Sequence, residues 1–573
     1  MSRFSILAWL AASELVLGAC DGGGSGGSPS GGLPAVGGDV TNLGLAAGRI
    51  EGDDELLVVA VSEMGQGGAD RNLDGDALDE VAFVYDLASE SGRDLRISLS
   101  PSFPFPLEVG GWVAALVTSE AGQGDSDLNR DGDVSDDVLS VYVHDRSGAR
   151  TLDSRLALAP FRPRVEGGFV AFAVSEAAQG NRDLNGDGDA LDAVPRVIDS
   201  TGIVRGPSVA LTELLALSGG WALFTTDEAQ LGSDLNGDGD AVDAHVLQFF
   251  EFHSGWLVNS GLDASLPVLR QDILMVVQFI EWMMMVDEQA GGIDLDGDGD
   301  ADDLVPHAYS PATGIATNLA LAAVPRAPLL ESVSGSFCLL ARESEGLDRN
   351  GDGDFEDVTP TVYGWGNLND IPLAVDPSSS GVVWSRSALV LDVSEAAQGA
   401  DLDGDGDRAD LVVHVVDGRG PRNLRLDSQG LTGAPGHVLI PRSELDAGAD
   451  WNGDGDQLDL ITFVRNSLTE RTSNTAIAGL VLGASGKRLL LAVPERDDGR
   501  DWNQDGDLDD VAYVHHELAL VKNVGLRGLL GAFPGWGRVL SSGHSVVLAD
   551  EASQASDLNR DGDQNDSVPF VVE

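Results

Sequence analysis

Basic residues, cysteine and histidine are all scarce in this chain of 573 residues. Lysine and arginine total 34 against 94 aspartates and glutamates, which gives a formal net charge of -60. A surface this negative repels nucleic acids and anionic membranes, so neither is an expected partner. With only Cys20 and Cys338, the chain has no disulfide framework. The shortage of cysteine and histidine also disfavours zinc, which prefers sulfur and imidazole ligands.

No internal segment has the length and apolarity of a membrane span. The most apolar candidate, residues 273–286, is too short and contains Gln278 and Glu281. Enzyme motifs are missing as well. There is no HExxH, no G-x-S-x-G between a strand and a helix, and residues 483–488 lack the spacing and the Ser/Thr of a phosphate loop. These absences reduce the case for an enzyme without removing it, because propeller folds can host enzymes.

One ten-residue pattern, D-x-[N/D]-x-D-G-D-x-x-D, occurs ten times. The copy at 183–192 reads DLNGDGDALD. Side-chain oxygens at alternate positions, bent by a glycine at position 6, are typical of a short calcium-binding loop. The pattern therefore predicts up to ten calcium ions, because calcium accepts many carboxylate ligands in flexible loops.

The candidate metal ligands occupy five positions in each loop. Position 1 is Asp70, Asp127, Asp183, Asp234, Asp294, Asp348, Asp401, Asp450, Asp501 and Asp557. Position 3 is Asn72, Asn129, Asn185, Asn236, Asp296, Asn350, Asp403, Asn452, Asn503 and Asn559. Position 5 is Asp74, Asp131, Asp187, Asp238, Asp298, Asp352, Asp405, Asp454, Asp505 and Asp561. Position 7 is Asp76, Asp133, Asp189, Asp240, Asp300, Asp354, Asp407, Asp456, Asp507 and Asp563. Position 10 is Asp79, Asp136, Asp192, Asp243, Asp303, Asp357, Asp410, Asp459, Asp510 and Asp566.

A glutamate, here called the upstream glutamate, precedes every loop by five to seven residues. The ten are Glu63, Glu120, Glu176, Glu228, Glu288, Glu343, Glu395, Glu444, Glu495 and Glu551. We expect each to complete the oxygen shell together with the aspartate at position 10. The alternative is a glutamate that accepts hydrogen bonds from loop amides and does not touch the metal. Loop acids and upstream glutamates supply 52 of the 94 acidic residues, so the charge is mostly metal-site charge.

Position 12 separates these loops from EF-hands, which carry a bidentate glutamate there. Here position 12 is never acidic; it is Val194 in the copy at 183–192. The loops resemble those of integrin-α (FG-GAP) propellers and of thrombospondin type 3 repeats, in which D-x-[D/N]-x-D-G is followed by a further aspartate. That resemblance implies calcium loops running directly into a strand. The last aspartate is at position 10 here and at position 9 in FG-GAP loops, so the ligand set does not transfer residue by residue.

The loops recur about every 54 residues, a period typical of propellers and solenoids. Each period contains about four short β-prone segments, which predicts an all-β fold of ten four-stranded propeller blades. The last period ends without its third strand, whereas residues 40–47 match the third strand at 316–323. Pairing of the two chain ends would therefore close a ring and remove exposed sheet edges. Two smaller propellers are the alternative, with a break in 253–286.

The N-terminus has the features of an export signal. Residues 1–19 contain a basic residue followed by an apolar stretch, and Leu-Gly-Ala-Cys at 17–20 resembles a bacterial lipobox. The resemblance implies cleavage before Cys20 and its lipidation, followed by a Gly/Ser-rich tether over 20–38 and the repeat array over 39–573. An ordinary signal peptide is the alternative. The expected location is the bacterial cell envelope, with membrane contact only through the lipid.

These features together predict a calcium-binding, envelope-anchored propeller that serves as a non-enzymatic binding or adhesion scaffold, with structural calcium. Its ligand, a protein or a carbohydrate, is not marked in the sequence. The alternative is a secreted propeller hydrolase or lyase with its active site in the central channel. A calcium-buffering surface layer is a third, weaker hypothesis.

Overall fold

The computed structural model describes residues 40–53, 55–237, 239–263, 282–324, 330–331, 336–343, 348–364, 367–376, 381–386, 388–434, 436–485, 488–503, 506–517, 520–528, 537–539 and 544–572. The predicted signal peptide, the tether and Cys20 lie outside this part. The chain divides into two compact units. Unit 1 comprises residues up to 46 with 450–462 and 475–573, and unit 2 comprises 47–449 with 463–474. Each is described by itself.

The described fold is all-β and consists of antiparallel sheets, as the sequence predicts. The first sheet of unit 2 holds two four-stranded sets joined through the pair Leu99–Thr118. Its strands are β2 (Ala47–Gly52), β3 (Leu56–Ser62), β4 (Glu80–Asp86), β5 (Ser91–Leu99), β6 (Leu107–Gly110), β7 (Val113–Ser119), β8 (Asp137–Asp145) and β9 (Gly148–Ala157).

Five further sheets of unit 2 follow in chain order, each with sequence neighbours paired. They are β10 (Arg164–Glu166), β11 (Phe169–Ser175), β12 (Ala193–Asp199) and β13 (Val204–Arg205); β14 (Glu213–Ser218), β15 (Trp221–Thr226), β16 (Val246–Glu251) and β17 (Trp256–Asp263); β18 (Trp282–Asp287), β19 (Leu304–Ser310) and β20 (Ile315–Asn318); β21 (Leu330–Glu331), β22 (Phe337–Arg342), β23 (Val358–Gly364) and β24 (Asn367–Asp370); and β25 (Val382–Ser385), β26 (Ala388–Ser394), β27 (Leu411–Asp417) and β28 (Gly420–Ser428).

The remaining sheets complete the chain. One has residues in both units: β29 (Thr432–Ala434), β30 (His437–Ser443), β31 (Leu460–Asn466) and β32 (Thr472–Ala478). Unit 1 contains β33 (Leu480–Ser485), β34 (Arg488–Pro494), β35 (Val511–Glu517) and β36 (Leu520–Gly528), and then β37 (Gly537–Val539), β38 (Ser545–Asp550) and β39 (Ser567–Val572) with β1 (Val40–Asn42). One-turn helices begin at or next to upstream glutamates: Ala121–Gln123, Glu228–Leu231, Glu288–Gly291, Glu444–Ala447, Glu495–Asp498 and Glu551–Gln554.

Consecutive sheets stack through apolar side chains. In unit 2, Val117 and Leu139 of one sheet pack with Phe172 and Ile198 of the next. The central strands are therefore buried on both faces, which explains their continuous apolar runs, whereas β9 alternates between exposed and half-buried residues. Within unit 1, Tyr513 belongs to the cluster that joins its last two sheets. Burial on both faces fixes each sheet between its neighbours.

The predicted order of strands within a unit needs one correction. In the period that begins at residue 110, the sequence predicts 162–166 as a short fourth strand that ends the repeat. In the structure, Arg164–Glu166 pairs with Phe169–Ser175 and begins the next sheet. The cause is the turn Gly167-Gly168, whose φ angles of 56° and 89° favour glycine. Such a turn makes the flanking segments a hairpin.

The predicted pairing of the chain ends is present in unit 1. β1 pairs with β39 in the register Val40–Val572, and it supplies the strand that the last sheet lacks. The Asn42 side-chain amide donates to the Leu558 carbonyl at 3.0 Å. Asn318 makes the same contact with Leu295 at 2.7 Å in an internal sheet. β1 thus occupies the place of a third strand.

The Cys338 side chain is buried among apolar residues, and burial raises the pKa of its thiol to about 12. No helix in the described ranges is long and apolar enough to cross a membrane.

Candidate metal centres

Each motif loop connects the two central strands of its sheet. In the copy at 183–192, β11 ends at Ser175, and β12 begins at Ala193 directly after the loop. The glycine at position 6 has a φ between 101° and 113° in all ten loops. No atom lies within 4 Å of where its Cβ would be, so backbone conformation and not space requires glycine.

A ladder of side-chain to backbone hydrogen bonds shapes the loop. Asp183 accepts from the Gly186 amide at 2.5 Å and from the Gly188 amide at 3.2 Å. Asn185 then accepts from Asp187, and Asp187 from Asp189, each at 3.1 Å. These contacts turn the carboxylates toward the loop backbone, and they leave further oxygen lone pairs for a cation.

The upstream glutamate is buried and holds its loop from inside. Oε1 of Glu176 accepts from the amides of Leu184 at 2.5 Å and Asn185 at 3.1 Å, and its Oε2 accepts from Asp192 at 3.2 Å. Exposure of the ten upstream glutamates is 0% except for Glu343, at 7%. The amide contacts of the alternative interpretation are therefore present.

The second oxygen of the upstream glutamate is less completely satisfied in several of the described loops. Oε2 of Glu228, Glu343 and Glu495 is buried and has no hydrogen-bond partner among the described residues. A buried carboxylate oxygen without a donor is costly unless a cation neutralises it. These oxygens therefore indicate where a cation would bind.

Acidic side chains converge on this point. Glu176, Asp189 and Asp192 offer oxygens that all lie within 4.8 Å of one another. The same three positions converge in the loops that begin at Asp70, Asp127 and Asp234, and the loop at Asp557 adds its position 5. The upstream glutamate, which was predicted to act together with position 10, thus forms a spatial cluster with positions 7 and 10. Asp238, Asp505 and Cys20 lie outside the described residues.

Position 10 carries the electrostatic cost of this arrangement. Burial, together with repulsion from Asp187 and Glu176, raises the pKa of Asp192 to about 6. The same causes raise the pKa of Asp79, Asp136, Asp357 and Asp566 to about 6. Carboxylates held together against their repulsion are suited to a divalent cation with oxygen ligands.

Asparagine at position 3 has a role that the sequence did not reveal. Its side-chain amide donates to the aspartate at position 10 in all eight asparagine-containing loops, as from Asn185 to Asp192 at 2.7 Å. In three of the described loops it also reaches the next repeat: Asn129 donates to the carbonyl of Ala178 at 2.9 Å, Asn72 to that of Gly122 at 2.8 Å, and Asn452 to that of Asp497 at 3.3 Å. Asp296 and Asp403 cannot make these contacts as carboxylates.

The segment after the upstream glutamate contains a second missed feature. The glutamine three residues on accepts from the preceding sheet: Gln179 from Ala157 and Gln398 from Ala374, both at 2.9 Å. The recurrent sequence Glu-Ala-Ala-Gln was the available signal. The backbone conformation of position 4 was also not predicted. This position is left-handed in every described copy, including Leu73 with φ 69°.

Comparisons with known proteins give only distant matches. No family model and no curated protein matches the chain. It is similar to the β-propeller domain of the Trilobed protease from Pyrococcus furiosus, at 8% identity and TM-score 0.28, covering 63% of this chain and 96% of that one. A puromycin-hydrolyzing peptidase of Mycobacterium tuberculosis matches at 12% identity and TM-score 0.27, covering 70% and 58%. Pyrococcus horikoshii acylaminoacyl peptidase matches at 8% and 0.25, covering 65% and 53%. Similarities this distant establish neither a blade count nor an activity.

Proposed function

We propose that the chain is a calcium-stabilised, exported β-propeller scaffold in which each motif loop binds one structural calcium ion. The observation that carries this is the cluster of the upstream glutamate with positions 7 and 10, where carboxylate oxygens lie within 4.8 Å of one another. Calcium fits because it takes six to eight oxygen ligands in flexible loops. At tenfold excess over the dissociation constant, each site adds about 1.4 kcal/mol to the free energy of unfolding.

Removal of calcium tests this proposal. The apparent Tm in 2 mM calcium is compared with that in excess EDTA and in 2 mM magnesium, after metal-free protein has been prepared by dialysis. We expect EDTA to lower the Tm strongly and calcium to restore it, with magnesium restoring less because it prefers rigid octahedral sites. An EDTA melt that matches the calcium melt would refute structural calcium.

The finer architecture belongs to the same proposal. The ten loops and the pairing of β1 with β39 in unit 1 support a ten-bladed propeller closed by its N-terminal strand. Class averages of the calcium-loaded protein by electron microscopy distinguish one ring of ten blades from two smaller rings.

We also propose export and lipid anchoring through Cys20, on the basis of its lipobox-like context. Mass spectrometry of the mature protein from a bacterial host tests this directly. A diacylglyceryl-modified N-terminal cysteine supports the anchor. An unmodified N-terminus at another small residue supports the ordinary signal peptide.

The role of the scaffold is proposed to be binding or adhesion without catalysis. The alternative, a secreted propeller hydrolase or lyase, is closer to the comparisons, because the three similar structures described above are two peptidases and the propeller domain of a protease. Their TM-scores are too low to assign that activity. A fluorophosphonate probe, which labels activated serines, and panels of peptides and polysaccharides separate the two roles in calcium buffer. Labelling or turnover would favour the enzyme.

A further inference from the structure

A cavity of about 300 Å³ lies in unit 2, at the strand ends opposite the metal loops. Its lining residues Ser385 and Ala388 pair with each other where β26 begins, and the other end of β26 leads into a metal loop. Four arginines line it, together with the buried side chains of Val390 and Val415. Its volume is at the lower end of the range of small-molecule sites.

Positive charge is in excess around this arginine cavity. The cavity is lined by four arginines and two acids: Arg386, Arg419, Arg422, Arg465, Asp417 and Glu470. Glu470 is shared by three of the arginines, at 3.8, 3.1 and 3.9 Å, and Asp417 pairs with one of them at 2.8 Å. Within the described part of the chain, no ion pair involves Arg386. The formal charge of the lining is therefore +2 in a chain of net charge -60.

Arg386 departs from the pattern of its own turn. Other sheets place glycine at the first residue of this two-residue turn: Gly111, Gly167 and Gly219, with φ of 58°, 56° and 52°. Arg386 adopts the same left-handed conformation, with φ 57°. A non-glycine residue in this conformation is strained, because its Cβ crowds the backbone. The turn alone would favour glycine.

Arg419 departs in the neighbouring turn. Ser147 and Thr201 occupy the equivalent place in other sheets, two residues after an aspartate, and their hydroxyls cap that aspartate. Arg419 keeps the backbone contact, donating its amide to Asp417 at 2.8 Å, but it has no hydroxyl to provide the cap. Its side chain is 71% exposed and lines the cavity. Nothing in the turn itself requires arginine.

Arg465 departs at a core position. The residue before the last of the post-loop strand is apolar or aromatic in several other sheets, as with Ile198, Tyr309 and Tyr363, all buried, and it is histidine in two, His144 and His516. Arg465 is buried as well, at 7% exposure, and donates to the Glu470 carbonyl at 2.7 Å. A buried guanidinium is costly in place of an apolar side chain. Three departures from the repeat pattern thus place arginine around one cavity.

We propose that the arginine cavity binds a small organic carboxylate. The guanidinium groups of Arg386 and Arg419 would hold the carboxylate, because arginine matches its planar geometry with paired donors. The Nε–H of Arg422 is buried without an acceptor among the described residues and offers a further donor. Val390 and Val415 favour an anion with an apolar body over an inorganic oxyanion. This site goes beyond the proposed scaffold and calcium functions.

Saturation-transfer-difference NMR on the calcium-loaded full chain tests the proposal. The probe is benzoate, and benzyl alcohol is its neutral counterpart of similar shape. The test variant, R386G/R419S, restores the residues that other sheets carry at these two places, so it is expected to fold. The control variant, R155G/R425G, removes the same charge at exposed left-handed positions that do not line the cavity.

We expect benzoate to bind at least about tenfold more tightly than benzyl alcohol, and R386G/R419S to weaken it at least about tenfold. The control variant should bind like the parent chain. Displacement of benzoate by sulfate would show that the site also binds inorganic oxyanions. Failure of sulfate to displace benzoate would show that the site selects carboxylates. Equal binding of benzoate and benzyl alcohol, or undiminished binding by a folded R386G/R419S, would overturn the proposal.

Discussion

Upstream glutamates use Oε1 to hold the backbone of the loop, as Glu228 does with Leu235 and Asn236. The buried Oε2 of Glu228, Glu343 and Glu495 has no donor among the described residues. Glutamine keeps the accepting oxygen and removes the charge. We therefore expect the variant E228Q/E343Q/E495Q to fold in EDTA about as well as the parent chain. In calcium it should bind about three fewer ions, because each site loses a charged ligand. Bound calcium is counted by elemental analysis after desalting, with unfolding in EDTA followed in parallel.

The matched control is E356Q, which changes an exposed glutamate inside a loop. It should bind the same number of ions as the parent chain. An unchanged count in the triple variant would show that the upstream glutamates serve the loop amides alone, and the oxygen shell would have to come from the aspartates.

Asp392 is a second residue whose charge is costly. It is fully buried on β26, receives a hydrogen bond from Ser428 at 3.0 Å, and has its other oxygen without a partner among the described residues. Burial raises its pKa to about 7. The folded-state pKa of Asp392 is above the unfolded-state pKa of about 4. The protonated Asp392 carboxyl therefore contributes its full stabilisation below about pH 4, and this stabilisation is lost as the pH rises through 7.

D392N should therefore become relatively more stable as the pH rises. Between pH 5.5 and 8, the free energy of unfolding of D392N should gain about 2 kcal/mol on that of the parent chain. Thermal melts of both proteins in saturating calcium at the two pH values measure this, and D153N, at an exposed strand position, provides the reference. Parallel pH profiles for D392N and the parent would argue that this carboxylate is not buried as described.

The residue pattern predicted the loops, but it did not predict how they are held together. Glycine at position 6 was predictable, because it recurs ten times and only one physical reason fits. The hydrogen bond from Asn185 to Asp192 was not, because asparagine at position 3 is equally suited to bind calcium. Arg465 was unpredictable for a related reason. An arginine at the end of a strand is ordinarily solvent-exposed, and only the structure shows it buried.

At the level of strands, residue composition predicted that a segment is a strand but did not predict the strand with which it pairs. The run at 162–166 is β-prone and short, so either neighbouring sheet could accept it. The two-residue turn at Gly167-Gly168 decides, because it is too tight for anything except a hairpin. The pairing of β1 with β39 was predictable, since the last repeat lacks one strand and the chain begins with a matching one.

Asn42 allows that pairing to be tested. N42A removes the bond to Leu558 and the bond from the Gly44 amide to Oδ1, at 2.7 Å. Loss of these contacts should destabilise the last sheet by about 1–2 kcal/mol. Hydrogen exchange followed by mass spectrometry should show faster exchange in Ser567–Val572. N423A removes the same kind of contact, to Leu402 at 2.7 Å, from an internal sheet. It should leave the hydrogen exchange of Ser567–Val572 unchanged. Equal exchange in both variants would contradict a dependence of the last sheet on β1.

The formal charge of the whole molecule is -60. More than half of its acidic residues are loop acids and upstream glutamates. Ten calcium ions would bring it to about -40 and would neutralise the charges that lie closest together. Self-repulsion should therefore limit the stability of the metal-free chain much more than that of the loaded chain.

Raising sodium chloride from 0.05 to 0.5 M shortens the screening length from about 14 to 4 Å. We expect this to raise the Tm in EDTA by several degrees and the Tm in calcium by clearly less. Sucrose at matched osmolality is the control, since it stabilises by exclusion and does not screen charge. If salt raised both melting temperatures equally, the acidic loops would not be the source of the repulsion, and calcium would have to stabilise the fold by ordering the loops alone.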